Sequence, residues 1–559
     1  MYRSLRWIVL AALMLAGSEM HAQQYAYIVR FADKNNTPFS LSSPTAYLSP
    51  RAITRRSNQG IAVDSTDLPV NRTYIDTVLN LTGTGTKLHS TSRWLNFCVV
   101  LLRDSANIHA IEDKPWVAGT EFIAWYSDSL HRPSDDAGTA TGGLNFGNKK
   151  TWASAEYGNT WIQTALVNGN KLHDDNYTGN GKLIAVIDAG FIDVNTHPGF
   201  TSMLTDGRLI DTYNFTLDED GVFGWDVHGM RALATIAGYV PGTYIGSAPM
   251  ASFALYISED NNSEQPIELA NMLAATERAD SVGADVITTS LGYNLFDNPA
   301  DNFVFAADFD GISTIAAKAA NIATSKGILF VATAGNEGGG GWNMVLTPGD
   351  ADSALTIGSV DFTGVSAPNS GYGPNAAGRV KPDVCGMGQL AAIFNGSGYG
   401  NQSGTSFSTP QIAGWAACLW QAYPTATPFQ IKEAIIRCAS RYTSPTAQQG
   451  YGIPDFWCAV NMILSIGDDL EPFTTASWVT ATPNPSHDIV NIIVAPDEDN
   501  NVSFQIMDMA GRVLISQVKH LRKGYNDAVT ISLSHLPSGI YTLNVVAGSQ
   551  HQVQKLVKF

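Results

Sequence analysis

The sequence predicts an α/β protein, a parallel sheet with helices on both faces, preceded by a small α+β unit and followed by a small β-sandwich. Three observations carry that prediction. Residues 182–187 (Lys-Leu-Ile-Ala-Val-Ile) and 327–334 (Gly-Ile-Leu-Phe-Val-Ala-Thr-Ala) are apolar and partly β-branched, as strands buried on both faces are. Residues 230–238 and 411–420 are rich in small helix formers, the second apolar throughout, so it reads as a buried helix. Beyond residue 480 the pattern changes to short strands with tight turns at 489–494, 502–506 and 539–546, as in a sandwich.

In chain order, residues 1–22 read as a signal peptide. Arg3 and Arg6 precede the apolar run 7–17, and Met20-His21-Ala22 is a cleavage site. The run is too short to span a bilayer and no later segment qualifies, so no transmembrane segment is expected. No cysteine stands at the cleavage site for lipid anchoring. Residues 23–133 form an α+β unit, with strands at 25–31 and 94–102 and helical candidates at 70–79 and 105–111. The polar, glycine-rich stretch 134–143 opens a linker, 134–156, exposed enough to be cut. A main domain over 157–466, a second linker over 467–480 and the sandwich over 481–559, with turns at Pro483-Asn-Pro485 and 509–511, complete the chain.

At 559 residues, a prior of roughly 150 residues per domain gives three or four units. The net charge of −17 is unevenly spread: residues 151–471 carry 12 basic and 32 acidic side chains, residues 472–559 six of each. So acidic a centre argues against nucleic acid and anionic membrane as partners, and either solubilises the protein or favours cationic substrates. The five cysteines lack Cys-x-x-Cys spacing, so no zinc site is implied.

The chemistry lies in four segments: Val-Ile-Asp188-Ala-Gly-Phe, Asp-Val-His228-Gly-Met-Arg-Ala, Thr-Ala-Gly-Asn336-Glu-Gly and Gly-Thr-Ser406-Phe-Ser-Thr-Pro. Asp188 would sit at the carboxyl end of a buried strand, where open α/β sheets bind ligands, and could orient a histidine. His228 opens a helix and could act as a base. Ser406 precedes a helix in which Ser408 and Thr409 read as caps and Pro410 as its first residue, so the serine gains from the helix dipole. Asn336, at another strand end, could donate to an oxyanion, an interaction worth about 3–4 kcal/mol where it has been removed. Singly these are a cap or a calcium ligand, a surface histidine, a cap and a turn. Together, in this order, they describe a serine hydrolase.

The order Asp, His, Ser resembles that of the subtilisin-like serine endopeptidases, the subtilase or S8 family. The resemblance runs from about residue 157 to 460 and includes Tyr157-Gly-Asn-Thr-Trp, Ile245-Gly-Ser-Ala-Pro, Gly283-Ala-Asp-Val-Ile-Thr-Thr-Ser290-Leu291-Gly292, Gly378-Arg-Val-Lys-Pro-Asp and Gly450-Tyr-Gly-Ile-Pro-Asp. It implies that Asp188 orients His228, that His228 is base and then acid, that Ser406 attacks, and that Asn336 supports the oxyanion with the Ser406 N–H. Ser290, Leu291 and Gly292 would pair with the peptide substrate as an added strand, and Gly335 and Leu346 would also contact it. Met230 and Ala234 stand where threonine and glycine are usual. Leu346, near a position often held by glycine, would shorten the primary pocket and favour small or medium apolar side chains.

The resemblance further implies that the unit before the linker is a prodomain that assists folding and blocks the site until cleaved; a permanently attached substrate-positioning domain is the alternative. No cofactor is required for the chemistry. Structural calcium is a family habit, but runs such as Asp174-Asp175 and Asp218-Glu219-Asp220 read as solvated loops rather than assignable ligands. A pair among Cys418, Cys438 and Cys458 could bridge, or all three could be free buried thiols; Cys98, on a strand, is expected to stay unpaired. Pro483-Asn-Pro-Ser, Asp508-Met-Ala-Gly-Arg-Val, Leu536-Pro-Ser-Gly-Ile-Tyr and Lys555-Leu-Val-Lys-Phe resemble the sorting domains of type IX secretion cargo. The expected partners are therefore protein or peptide substrates, the prodomain and the type IX machinery, and the expected location is secreted or cell-surface. A carbohydrate-binding or generic interaction sandwich is the alternative for this domain, though it has no aromatic row of the kind that stacks on sugars.

The second functional class is a catalytically silent binding or adhesion protein of the same fold, which would need none of the four side chains. Other hydrolases fit worse. An α/β-hydrolase esterase needs its serine before its histidine, and no second Asp-Thr-Gly-like segment pairs with Asp188-Ala-Gly as in an aspartic protease.

Overall fold

The computed structural model describes residues 24–126, 154–466, 479–482, 489–494, 500–508, 512–521, 527–537 and 539–558. The signal peptide, most of both linkers and the turns at 483–485 and 509–511 lie outside the described residues. Two compact units divide at residue 466.

The first unit begins with an antiparallel sheet of β1 (Gln24–Phe31), β2 (Lys87–Ser92), β3 (Phe97–Leu102) and β4 (Val117–Tyr126), in the order β2-β3-β1-β4. Strict alternation divides its side chains between two cores. Val29, Cys98, Val100 and Leu102 face a small core with Ile75, Val78 and Ile108. Ala26, Ile28, Phe97 and Val99 face Ala270, Leu273 and Ala274 of the long helix Ile267–Val282. The helix expected at 70–79 is Arg72–Leu81, capped by Asn71, whose Oδ1 accepts from Thr73 N at 2.9 Å. The helix expected at 105–111 is a tighter 3-10 turn, Ser105–Ala110. The strand expected from 94 starts at 97, because Trp94 and Asn96 make a turn with Asn96 in the left-handed region (φ 53°). The helix Pro50–Asn58 was not anticipated, although Ser49-Pro50 carries both a cap, accepting from Ala52 N, and an N1 proline.

The larger sheet contains β5 (Leu183–Asp188), β6 (Leu209–Asn214), β9 (Ser252–Ile257), β10 (Val286–Thr289), β11 (Leu329–Thr333), β12 (Leu355–Val360) and β13 (Val384–Met387), in the order β13-β12-β11-β10-β5-β9-β6. Two short pairs stand apart, β7 (Tyr239–Val240) with β8 (Tyr244–Ile245) and β14 (Ala391–Asn395) with β15 (Gly398–Gln402). Every ladder of the larger sheet is parallel. Ile184, Val186, Phe253 and Leu255 face a core built with the helices His228–Ala237 and Thr405–Ala422, while Leu183, Ala185, Ile187 and Tyr256 face the Ile267–Val282 side. From β5 the chain passes to β6 at the edge of the sheet, comes back to form β9 between them, and then crosses to β10 on the other side of β5. This reversal opens a crevice at the carboxyl ends of β5 and β10.

Cys438 and Cys458 form a disulfide joining the ends of the helices Pro428–Arg437 and Phe456–Ile466, and Cys98, Cys385 and Cys418 are buried free thiols. The second unit has two antiparallel sheets, one of Val479–Thr482, Ile489–Val494 and Asp527–Ser532, the other of Val513–Leu521, Asn500–Met507, Gly539–Ala547 and Gln550–Lys558. Val490, Ile492 and Val494 meet Val502, Phe504 and Ile506 in one core, as the alternation predicted.

Candidate active site

Asp188 is the last residue of β5 and fully buried. His228 is the first residue of its helix, and its Nδ1 lies 2.7 Å from Asp188 Oδ1. A carboxylate can only accept, so Nδ1 carries the hydrogen and Nε2 keeps the lone pair a base needs. Ala189 N donates to the same oxygen at 2.8 Å, which fixes the carboxylate. Gly229 makes the approach possible: a Cβ there would stand 2.9 Å from Asp188 Cβ and from the Phe191 ring. Burial alone would lower the His228 pKa, but Asp188, supported by Asp226 and Glu259, outweighs it and lifts the imidazole to about 9. Asp226 also accepts from the His228 backbone N–H at 2.6 Å. Met230 and Ala234 are buried residues of this same helix.

The helix at the serine starts earlier than its hydroxyl residues suggested. It spans Thr405–Ala422, so Ser406 lies in its first turn and Pro410 within it. Ser408 and Thr409 are not caps; their hydroxyls donate back to Thr405 O at 3.1 and 2.8 Å. The proline is tolerated because the carbonyl it leaves without an amide donor, Ser406 O, accepts from Ser290 Oγ at 2.9 Å. Phe407 turns its ring to within 5.9 Å of the His228 ring, which brings the Ser406 turn beside the imidazole.

Asn336 follows β11, and its Oδ1 accepts from Thr405 N at 2.9 Å and Thr405 Oγ1 at 3.1 Å. With its oxygen so occupied, the amide presents Nδ2 as a free-standing donor. A cleft of about 350 Å³ is lined by His228, Asn336, Ser290, Leu291, Gly292, Gly335 and Leu346. Leu346 is 6% exposed and packs on both glycines, filling space that Gly292 and Gly335 leave. The nine residues singled out from the sequence thus gather at one end of one sheet. Sequence reasoning gave no role to Asp226, although an acid two positions before a helix start is a capping signal, nor to Glu259, which also lines the cleft. Among the described residues the one group of three acids with ligand atoms within 4.8 Å of one another is Glu259, Glu264 and Glu268, not the runs at 174–175 or 218–220.

A parallel sheet of this order, with its crevice at a topological switch point, is the subtilisin-like fold. Residues 179–452 match the subtilase family, and this region belongs to it: the chain is a serine peptidase. Residues 26–137 match the peptidase S8 propeptide domain of Bacteroidota, and residues 481–558 a secretion system C-terminal sorting domain. The sorting domain marks it for type IX secretion, hence for release or display at the cell surface. Similar proteins include a thermostable alkaline protease of Halalkalibacterium halodurans, 29% identical over 50% of this chain and 68% of that one. Subtilisin NAT of Bacillus subtilis subsp. natto is 30% identical over 50% of this chain and 66% of its own, and Subtilisin Savinase of Lederbergia lenta 28% over 48% and 87%. No described helix is long and apolar enough to cross a membrane.

Proposed function

We propose that the chain is the precursor of a secreted endopeptidase that cleaves peptide bonds through an acyl-enzyme on Ser406. His228 Nε2 takes the hydroxyl proton as Ser406 Oγ attacks the carbonyl carbon. The oxyanion is received by Asn336 Nδ2 and the Ser406 N–H. Asp188 holds the tautomer and balances the imidazolium, which then protonates the leaving amine. Water, activated by the same imidazole, releases the acyl group and restores the serine. The observation that carries this reading is the 2.7 Å contact between His228 and the buried Asp188, with the Ser406 turn beside it.

The substrate peptide runs along Ser290, Leu291 and Gly292, and Leu346 shortens the primary pocket so that small or medium apolar side chains fit best. Residues 1–22 are the export signal, 23–133 the prodomain, 134–156 the cut linker, 157–466 the catalytic domain, 467–480 a second linker and 481–559 the domain read by the type IX machinery.

The test is labelling of the secreted, prodomain-free protein with a fluorophosphonate probe and mapping of the modified peptide by mass spectrometry. Label on Ser406 that is lost in Ser406→Ala supports the reading. Folded protein that takes no label contradicts it and favours a silent binding protein.

A further inference from the structure

The cleft carries more negative charge than the triad needs. Asp226, Glu259 and Glu337 line it, and no lysine or arginine does. Asp226 is committed to the His228 N–H, and Glu337 is exposed. Glu259 is different. It lies two residues beyond Ile257, the residue of β9 level with Asp188, so it stands at the lip beside the Asp188–His228 pair. Its Oε2 is 3.4 Å from the hydroxyl of buried Tyr293.

Behind it are two further carboxyls, Glu264 and Glu268, with oxygens of all three within 4.8 Å of one another. Glu268 is 1% exposed; its Oε1 accepts from Asp260 N at 3.1 Å, while its Oε2 is buried with no hydrogen-bond partner. Among the described residues none of the three makes an ion pair, whereas the other buried acids of this helix do. Burial first, then repulsion from neighbouring carboxyls, holds the carboxyls of Glu259 and Glu268 well above the usual range, and the His228 imidazole offsets this only in part at Glu259.

We infer that Glu259, with Glu264 and Glu268 behind it, is a subsite that accepts the lysine or arginine side chain of a substrate peptide, on the non-primed side of the cleft. The inference rests on the endopeptidase reading above. A long basic side chain fits the geometry: its apolar stem can lie on Leu291, which lines the same cleft, while its N–H donors reach Glu259, the member of the cluster at the cleft wall, with the buried Glu268 carboxyl behind it. Three carboxyls could also ligate a hard divalent cation together with backbone or water oxygens, and the test separates that occupant from a basic side chain.

The test uses the processed full-length enzyme and matched peptides that differ only in lysine or norleucine at the second, third or fourth residue before the scissile bond. At one of these positions the lysine peptide should have a kcat/KM roughly 10–100-fold above its norleucine partner, the range of a charge-assisted hydrogen bond. Glu259→Gln should bring that ratio near one, and Glu259→Asp, which keeps the charge, should hold it above one. A ratio of one or less at all three positions in the wild type overturns the inference, as does a ratio that Glu259→Gln leaves intact. So does stoichiometric calcium binding to the wild type that Glu259→Gln abolishes, which would make the cluster a metal site. Absence of any cleavage together with absence of fluorophosphonate label at Ser406 overturns the endopeptidase reading instead, so the two failures are distinct.

Discussion

The two ends of the helix Ile267–Val282 bury acid in opposite ways. At the C-terminal end Asp280, fully buried, receives Arg55 at 2.5 Å, Arg56 at 2.7 Å and Arg93 at 2.6 Å, all from the segment that matches the S8 propeptide. Glu277 beside it accepts from Ser92 Oγ at 2.6 Å and from the Arg93 and Trp94 backbone N–H groups. At the N-terminal end Glu268 and its neighbours Glu259 and Glu264 make no ion pair among the described residues, although the His228 imidazole bears on Glu259 electrostatically. The propeptide segment reaches both ends, pairing Trp125 with Gln265 at the N-terminal one, but it brings arginines only to the C-terminal end, so the acids that open on the cleft are left for something else to neutralise. This also explains how one chain can carry so acidic a catalytic region: part of its charge is compensated in cis only while the prodomain is bound.

The comparison can be broken most strongly at its paired end. Arg56 holds Asp67 bidentately at 2.8 and 2.9 Å and bridges to Asp280, so Arg56→Ala leaves two buried carboxylates short of a partner. Loss of one member of a buried pair costs about 3–5 kcal/mol, so the Ser406→Ala precursor, which cannot autolyse, should lose that much stability in denaturant unfolding when Arg56 is also replaced. A smaller loss would mean that the arginines are solvated rather than structural. The Cys438–Cys458 bridge lies away from both ends and serves as the control. Closing 20 residues, it should contribute about 3 kcal/mol, and Cys438→Ser with Cys458→Ser should cost the same with or without the prodomain.

The unpaired end speaks through the histidine. The His228 pKa is raised, so the imidazole is protonated below about 9 and the free base is lost as pH falls; kcat/KM should therefore climb with pH through about 9. Asp226→Asn should move that midpoint down, and Glu259→Gln should move it down by less, because Asp226 contributes the larger share. An unmoved midpoint in both would mean that Asp188 alone sets it.

Much of this was legible in the chain. The buried strands announced themselves as unbroken apolar runs, and the catalytic residues as chemistry-bearing side chains at strand ends and helix starts. What sequence could not give were facts of three-dimensional convergence. The arginines of residues 55, 56 and 93 become one cluster only when prodomain and helix meet, and Glu259, Glu264 and Glu268 become one only when the loop after β9 folds onto the helix start. The helix containing Ser406 starts several residues before the position its sequence suggests, because a proline normally marks a first turn, and the Ser290 hydroxyl that excuses it is more than a hundred residues away. The disulfide was one of several open pairings for the same reason.

The most direct test of the account is the rate of fluorophosphonate labelling of the mature enzyme followed against pH, in the wild type, Ser406→Ala and His228→Ala. Label confined to Ser406, a rate that rises through about pH 9, and a large loss of labelling without the histidine, whose removal costs about 10⁶-fold in kcat in a subtilisin, are the predicted results. Labelling at another serine, or a rate indifferent to both pH and His228, would contradict it.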